Sequence, residues 1–388
     1  MTVKSPFKAQ LSGTRAIAAL AIWMACLFAG VASAADKPVY ALGALFPLTG
    51  PNAVYGTLFS QGADLAVEHI NADADFDGRL NIHYEDSQAL PQPAVVGMNK
   101  LVNVDGVKFV LSAFSGVSQA IAPIGNRSHV LMVNGGGVSP ELAIGGYFLN
   151  DIPLSDDEVN ALLPHVVNDM GVKKLAVIHV NDPFGNGVNK VIKQRCEELG
   201  CSVVSEISID PSSTSFQSEV VKLRVARADA IYIASYGQQQ NVIAKQLRDG
   251  GIRTQLLSYS AFGIPATQKL KATQGAIYTA EHIDYDANDM TRRFLKDFQA
   301  RYGTRPNYYQ INYYNAVRIY ADLIARLHKE GREITGENLS AALHDIETFD
   351  VVGGPISFRD DGTVQMPIEI NQIEDGASKV LKTVEMTE

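Results

Sequence analysis

From residue 39 onward the chain alternates short runs of apolar, β-branched residues with longer stretches whose apolar positions recur at helical spacing. The pattern predicts strands over 39–46, 80–85, 107–112 and 129–133, separated by helices over 55–71 and 94–104 and by one opening at Gln119. The rhythm then repeats: helix 156–170, strand 175–180, helix 187–199, strand 202–207, helix 216–226, strand 230–234 and helix 240–249, with a long helix later over 308–328. Such alternation implies parallel sheets covered by helices on both faces, because a parallel connection must run back along a helix. Sheet following sheet without a composition break predicts two similar α/β lobes. Short crossings are expected near 150–155, 281–284 and 353–355. The first lobe then takes 35–154 with 284–355, and the second takes 155–283 with 356–388. Two lobes crossed three times make a hinged pair.

The first 34 residues have a different character. Lys4, Lys8 and Arg15 precede an apolar run over 16–32, no acid occurs before Asp36, and Ala32, Ser33 and Ala34 form a small-x-small cleavage pattern. The run is shorter than the roughly 20 residues that span a bilayer. Trp23, Met24 and Ala25 make a poor lipidation box before Cys26. The expectation is a signal peptide cut after Ala34 and a soluble protein of the periplasm of a Gram-negative bacterium. Removing those three cations takes the formal net charge from −9 to −12. An acidic chain with a pI near 5.4 lacks the basic footprint that nucleic acid requires. Export also removes Cys26 and leaves Cys196 and Cys201, separated by four residues across a helix end and a strand start. They form either a small disulfide loop or two separate buried thiols, since spacing does not decide geometry.

Several motifs suggest chemistry that their details do not support. Asp73, Asp75, Asp77 and Gly78 match the start of a calcium loop, but its twelfth position is Tyr84 and Glu85 comes one residue late. An acidic helix-to-strand turn is the simpler reading. Gly185 and Gly187 mimic a dinucleotide fingerprint whose third glycine is replaced by Lys190. No phosphate-binding G-x4-G-K-[ST], G-x-S-x-G or H-E-x-x-H motif occurs, and no cofactor is expected. Three features instead suit a small anion. Ser115 and Gly116 follow a buried strand and open a helix, Gly135, Gly136 and Gly137 follow the next strand, and Thr49, Gly50 and Pro51 follow the first. All lie at the carboxyl ends of parallel strands, where open α/β sheets bind ligands. The tyrosines at 308, 309, 313, 314 and 320 have helical spacing and read as hinge or core packing before a ligand box.

Phe46-Pro47-Leu48-Thr49-Gly50, Glu68-His69-Ile70-Asn71, Tyr84-Glu85-Asp86-Ser87, Ser115-Gly116 and Asn181-Asp182-Pro183-Phe184-Gly185 together resemble the substrate-binding proteins of branched-chain-amino-acid-type ABC importers. The resemblance implies a type I periplasmic binding fold: two Rossmann-like lobes, three crossings, and a ligand trapped between them. It implies that Ser115 offers its hydroxyl and N–H to a ligand carboxylate, with Gly116 beside it and Gly136, Gly137 and Val138 on a second loop. Tyr55 supplies an aromatic from the first loop, while Phe184, Tyr236, Tyr259 and Ser260 close from the other lobe and Glu281 lies near the hinge. Amino-acid binders of this family carry a hydroxyl where Val138 stands and an acid where Ser260 stands. A buried ammonium without an acid is costly, so the expected ligand is an aromatic carboxylate or an aryl 2-oxo acid. Glu281 could restore the acid, which keeps amino acids, and less well amides, as the alternative. The implied partner is an inner-membrane ABC permease, and the expected receptor is a monomer and not an enzyme. A sensor of the same fold and a periplasmic enzyme acting on a small acid are the competing classes.

Overall fold

A computed structural model describes residues 1–5 and 37–386. The chain divides into Met1–Pro38 and Val39–Glu388, and the second unit carries the fold. The expected export signal and its cleavage point fall mostly outside the described residues. Among the described residues no helix is long and apolar enough to cross a membrane.

The first sheet has the order β2-β1-β3-β4-β5. Its strands are β1 (Val39–Phe46), β2 (Arg79–Asp86), β3 (Phe109–Ser112), β4 (Leu131–Asn134) and β5 (Phe148–Asn150), all paired in parallel. Between them run α1 (Ala53–Asn71), α2 (Pro91–Asn103) and α3 (Ser115–Ser128). Every residue of β3 and β4 is buried, as strands covered on both faces must be. The expected start of β4 at residue 129 moves to Leu131, because His129 takes a left-handed conformation and ends α3.

The second sheet has the order β15-β14-β10-β9-β8-β6-β7. Its parallel part comprises β6 (Lys174–Val180), β7 (Ser202–Ile209), β8 (Ala230–Ala234), β9 (Gln255–Ser258) and β10 (Ile277–Glu281). The connecting helices are α4 (Ser155–Pro164), α5 (Pro183–Glu198), α6 (Gln217–Ala226) and α7 (Gly237–Asp249). The single helix expected over 156–170 changes to a π-helical turn over His165–Asp169. Pro164 has no N–H and its ring crowds the preceding carbonyls, and a wider turn relieves both. A disulfide joins Cys196 to Cys201, with Cα atoms 4.9 Å apart, and so ties the end of α5 to the start of β7.

After β10 the chain returns to the first sheet's side as α8 (Asp289–Tyr302), α9 (Tyr308–Lys329) and α10 (Gly336–His344). Helix α9 is buried along most of its length and packs on α1. The crossing expected at 353–355 lies elsewhere. Gly354–Phe358 (β12) pairs with Phe349–Val351 (β11) and with Val364–Gln365 (β13), and Thr363 bridges to Asn150 of β5. Residues 356–365 therefore stay at the edge of the first sheet. The chain joins the second sheet only at β14 (Ile368–Glu374), which runs antiparallel to β10 and is followed by β15 (Ala377–Val384). A Gly-Gly-Pro run marks a turn into an edge strand as readily as a linker, and the apolar alternation of Ile356 and Phe358 decides for the strand.

Candidate functional site

The carboxyl ends of β3 and β4 face those of β6, β8 and β9 across a cavity of about 210 Å³. Nine of the expected residues line it: Tyr55, Ser115, Gly116, Gly136, Gly137, Val138, Phe184, Tyr236 and Tyr259. Strands end, the chain turns, and the next helix begins, so each turn delivers a few residues to the same edge.

On the first sheet's side, Ser115 opens α3, and the first N–H groups of that helix have no acceptor within it. Its Oγ accepts from Ser139 N at 3.0 Å, which leaves the hydroxyl hydrogen for a ligand. The preceding Phe114 holds φ at +64°, a region that bulky residues rarely occupy. That strain turns the chain sharply from β3 into the helix, with the ring on the cavity wall. The glycine loop differs from expectation. Asn134 Oδ1 accepts from Gly137 N at 2.8 Å and Gly136 N at 3.3 Å. Those donors are spent inside the loop, because a buried Asn at the end of β4 organises it.

On the second sheet's side, Asp182 caps α5 by accepting from Gly185 N at 2.8 Å, and its other oxygen accepts from the Tyr236 hydroxyl at 2.7 Å. Burial raises the Asp182 pKa, while those two bonds oppose the rise. Gly185 is required by close packing, since a Cβ there would meet Val180 O at 2.0 Å. The glycine pair of the false dinucleotide fingerprint thus serves helix packing.

The two sides are already in contact. Gly237 N donates to Tyr55 Oη at 3.0 Å, and Ser139 Oγ donates to Pro183 O at 3.1 Å. Six rings run round the wall in sequence: Tyr309 against Tyr55 (5.7 Å between centroids), Tyr55 against Phe114 (5.5 Å), Phe114 against Tyr236 (5.4 Å), Tyr236 against Phe184 (5.9 Å) and Phe184 against Tyr259 (4.6 Å). The first three contacts are edge-to-face, a favoured arrangement for aromatic pairs.

Two expected residues do not reach this wall. Ser260 turns inward, its N–H donating to Glu158 Oε1 at 3.3 Å and its carbonyl accepting from the Tyr308 hydroxyl. Glu281 ends β10, where Asn312 Nδ2 donates to its Oε1 at 2.8 Å. Conversely, Phe114, Asp182 and Tyr309 line the cavity without having been expected as ligand residues. Asp182 had a usable signal, an N-cap before Pro183 at a strand's carboxyl end. Tyr309 had none, because helical spacing does not separate a wall residue from its neighbour Tyr313, which lies in the core and donates to Ser112 O at 2.6 Å. At the other candidate site, Asp73 Oδ1 accepts from Asp75 N at 3.0 Å within the acidic turn. No group of three or more His, Cys, Asp or Glu among the described residues is arranged to hold a metal ion.

A family model described as "Periplasmic binding protein" matches residues 40–378. Leu/Ile/Val-binding protein homolog 3 of Brucella melitensis is 26% identical over 354 residues, covering 89% of this chain and 94% of the relative. Among solved structures, a leucine binding protein from Thermotoga maritima superposes with a TM-score of 0.82 at 18% identity, covering 89% of this chain and 99% of that one. A solute binding protein of an ABC transporter from R. palustris, in complex with benzoate, superposes with a TM-score of 0.81 at 16% identity, covering 90% and 98%. Two sheets of mainly parallel strands facing each other across a cavity, crossed repeatedly by the chain, are the type I fold of these structures. The chain belongs to the periplasmic binding protein family and is a solute-binding receptor of the branched-chain-amino-acid type rather than an enzyme.

Proposed function

We propose that this receptor captures a small aromatic carboxylate or aryl 2-oxo acid between its two lobes in the periplasm and delivers it, as a monomer, to an inner-membrane ABC permease. The observation that carries the reading is the chemistry of the wall. Six aromatic rings enclose a small cavity, Ser115 and the start of α3 form one anion-favouring corner, and Asp182 has both oxygens committed to Gly185 and Tyr236. A ligand ammonium would meet no free carboxylate on that wall. An apolar ring with one carboxylate satisfies it better. The benzoate held by a protein of the same fold is consistent with this reading.

An amino acid is the second reading, favoured by one observation. Glu158 lies directly behind Ser260 with one oxygen unpartnered, so a small shift of the Tyr259–Ser260 turn would bring an acid towards the cavity. A thermal-shift screen of ligand-stripped protein decides between them, with benzoate, hydroxycinnamates, phenylpyruvate and benzoylformate set against leucine and glutamate. Ligand at a hundred times its Kd adds about 2.7 kcal/mol, a shift of several degrees. Shifts with aromatic acids and none with leucine support the first reading; a leucine shift alone overturns it.

A further inference from the structure

Three acids lie in the seam where the chain passes between the two sheets. Asp151 follows β5 on the first crossing, Glu158 sits in the first turn of α4, and Glu281 ends β10 at the second crossing. They are 2%, 0% and 2% exposed. Each has an enclosed carboxylate oxygen with no hydrogen-bond partner: Asp151 Oδ2, Glu158 Oε2 and Glu281 Oε2. Glu281 faces both of the others, and its negative charge raises their pKa values on top of burial.

The surroundings supply no compensating cation. From α9, Tyr308 and Tyr309 face Glu281, Tyr313 faces Asp151, and Asn312 donates to Glu281. From the second sheet, Glu369 on β14 adds a further negative charge near Glu281, while Tyr232 and Tyr259 face Glu158. Asp157 flanks Glu158 on its own helix, and Tyr285 flanks Glu281 beyond the crossing. Nearby cations are engaged elsewhere: Arg359 pairs with Asp157 at 3.2 Å, His282 with Glu369 at 2.8 Å, and Arg305 lies over the Tyr285 ring at 3.8 Å. Among the described residues, no ion pair includes any of the three acids.

We propose that closure of the two lobes is proton-linked through Asp151, Glu158 and Glu281: the closed seam keeps protons on these carboxyl groups, and the opened seam releases them to water. The inference rests on the reading of the protein as a hinged receptor. Three enclosed, mutually repelling carboxylates are far costlier ionised than neutral. Asn312 makes the seam a shared element, because its Nδ2 donates to Gly135 O of the first sheet's loop as well as to Glu281. Separating the lobes draws these partners apart and admits water, which solvates the charge.

The sign follows from the direction of the shifts. Burial pushes Glu281 up to about 7 and the other two well above their ordinary values. Closure is therefore fully favoured below the ordinary carboxylate range near 4–5 and weakens as pH rises towards the closed-state values. For Glu281 that window ends near pH 7. The closed-to-open ratio should fall by up to about tenfold per pH unit for each proton exchanged.

The test places spin labels on Val96→Cys and Val225→Cys, two exposed positions on helices of opposite sheets, in otherwise intact exported protein whose native cysteines are joined. Interlabel distances are recorded at pH 5.5 and 8 without ligand, with benzoate and with leucine. The expected result is a larger short-distance fraction at pH 5.5 in ligand-free protein, and an equally large fraction at pH 8 when Asp151→Asn, Glu158→Gln and Glu281→Gln are combined. If the triple variant does not fold, Glu281→Gln alone should raise the pH 8 fraction partway. Distance distributions that ignore pH, or a pH response undiminished in Glu281→Gln, overturn the proposal. Failure of both benzoate and leucine to change the distances would count against the ligand reading, and the ligand-free comparison would still test the proton linkage.

Discussion

Replacing Ser115 by Ala separates the ligand role of this residue from its structural one. The side chain is buried at the start of α3, and its Oγ accepts from the N–H of Ser139, itself fully buried. Two losses follow. In the complex, a hydroxyl bond to a ligand carboxylate is charge-assisted and worth about 1.5–3 kcal/mol, so Kd should rise by roughly 10–150-fold. In the ligand-free protein, the Ser139 N–H loses its acceptor inside the fold, a cost of about 1–3 kcal/mol. For a protein of this size that lowers Tm by roughly 1–2 °C per kcal/mol. Isothermal titration at 20 °C reads the first loss on folded protein, and a ligand-free melt reads the second. A lower Tm with Kd within twofold of the parent would refute the binding argument and leave Ser115 as a loop support only.

Tyr55→Phe keeps the wall ring but removes the hydroxyl that accepts from Gly237 N across the cavity. Loss of about 0.5–1.5 kcal/mol from the closed form should speed ligand release about 2–13-fold in stopped-flow, whatever the ligand; an unchanged rate would mean that this contact does not hold the closed form. Gly237 has φ +60°, and a Cβ there would stand 3.0 Å from Asn52 Oδ1. Gly237→Ala should therefore weaken binding by about tenfold through roughly 1–2 kcal/mol of backbone strain and a blocked approach, with normal circular dichroism. Replacing Cys196 and Cys201 together by Ser should cost about 2 kcal/mol in urea unfolding, the loop-entropy value for so short a ring. The bond sits at the opposite end of α5 from Phe184, so Kd should not move. Trp23 is the sole tryptophan, and exported protein cut after Ala34 should fluoresce as tyrosine alone; a tryptophan band would mean a retained leader.

Much of this molecule is legible without coordinates. Alternation of period two and period 3.6 reports which side of each element is buried, a local property, and from it come the parallel sheets, the two lobes and the carboxyl-end location of the cavity. Ser115 could be named for the wall because strand ends deliver their turns to one edge, whereas Tyr55, Phe184 and Tyr236 could be named only through the resemblance to a known family. Other features depend on side chains distant in sequence. Asn134 takes up the N–H groups of Gly136 and Gly137 only because the loop folds back on it. Ser260 faces inward because Glu158, 102 residues earlier, accepts its N–H. Tyr309 and Tyr313 share one helix and one composition, yet one meets the cavity and the other the core. The last crossing moved past Thr363 because a bridge to Asn150 holds that segment at the first sheet's edge. The three seam acids lie 151, 158 and 281 residues along the chain and acquire their coupling only through packing distant in sequence. Sequence determines what each element buries, whereas the charges and hydrogen bonds that meet across the seam are set by long-range packing, which no local pattern encodes.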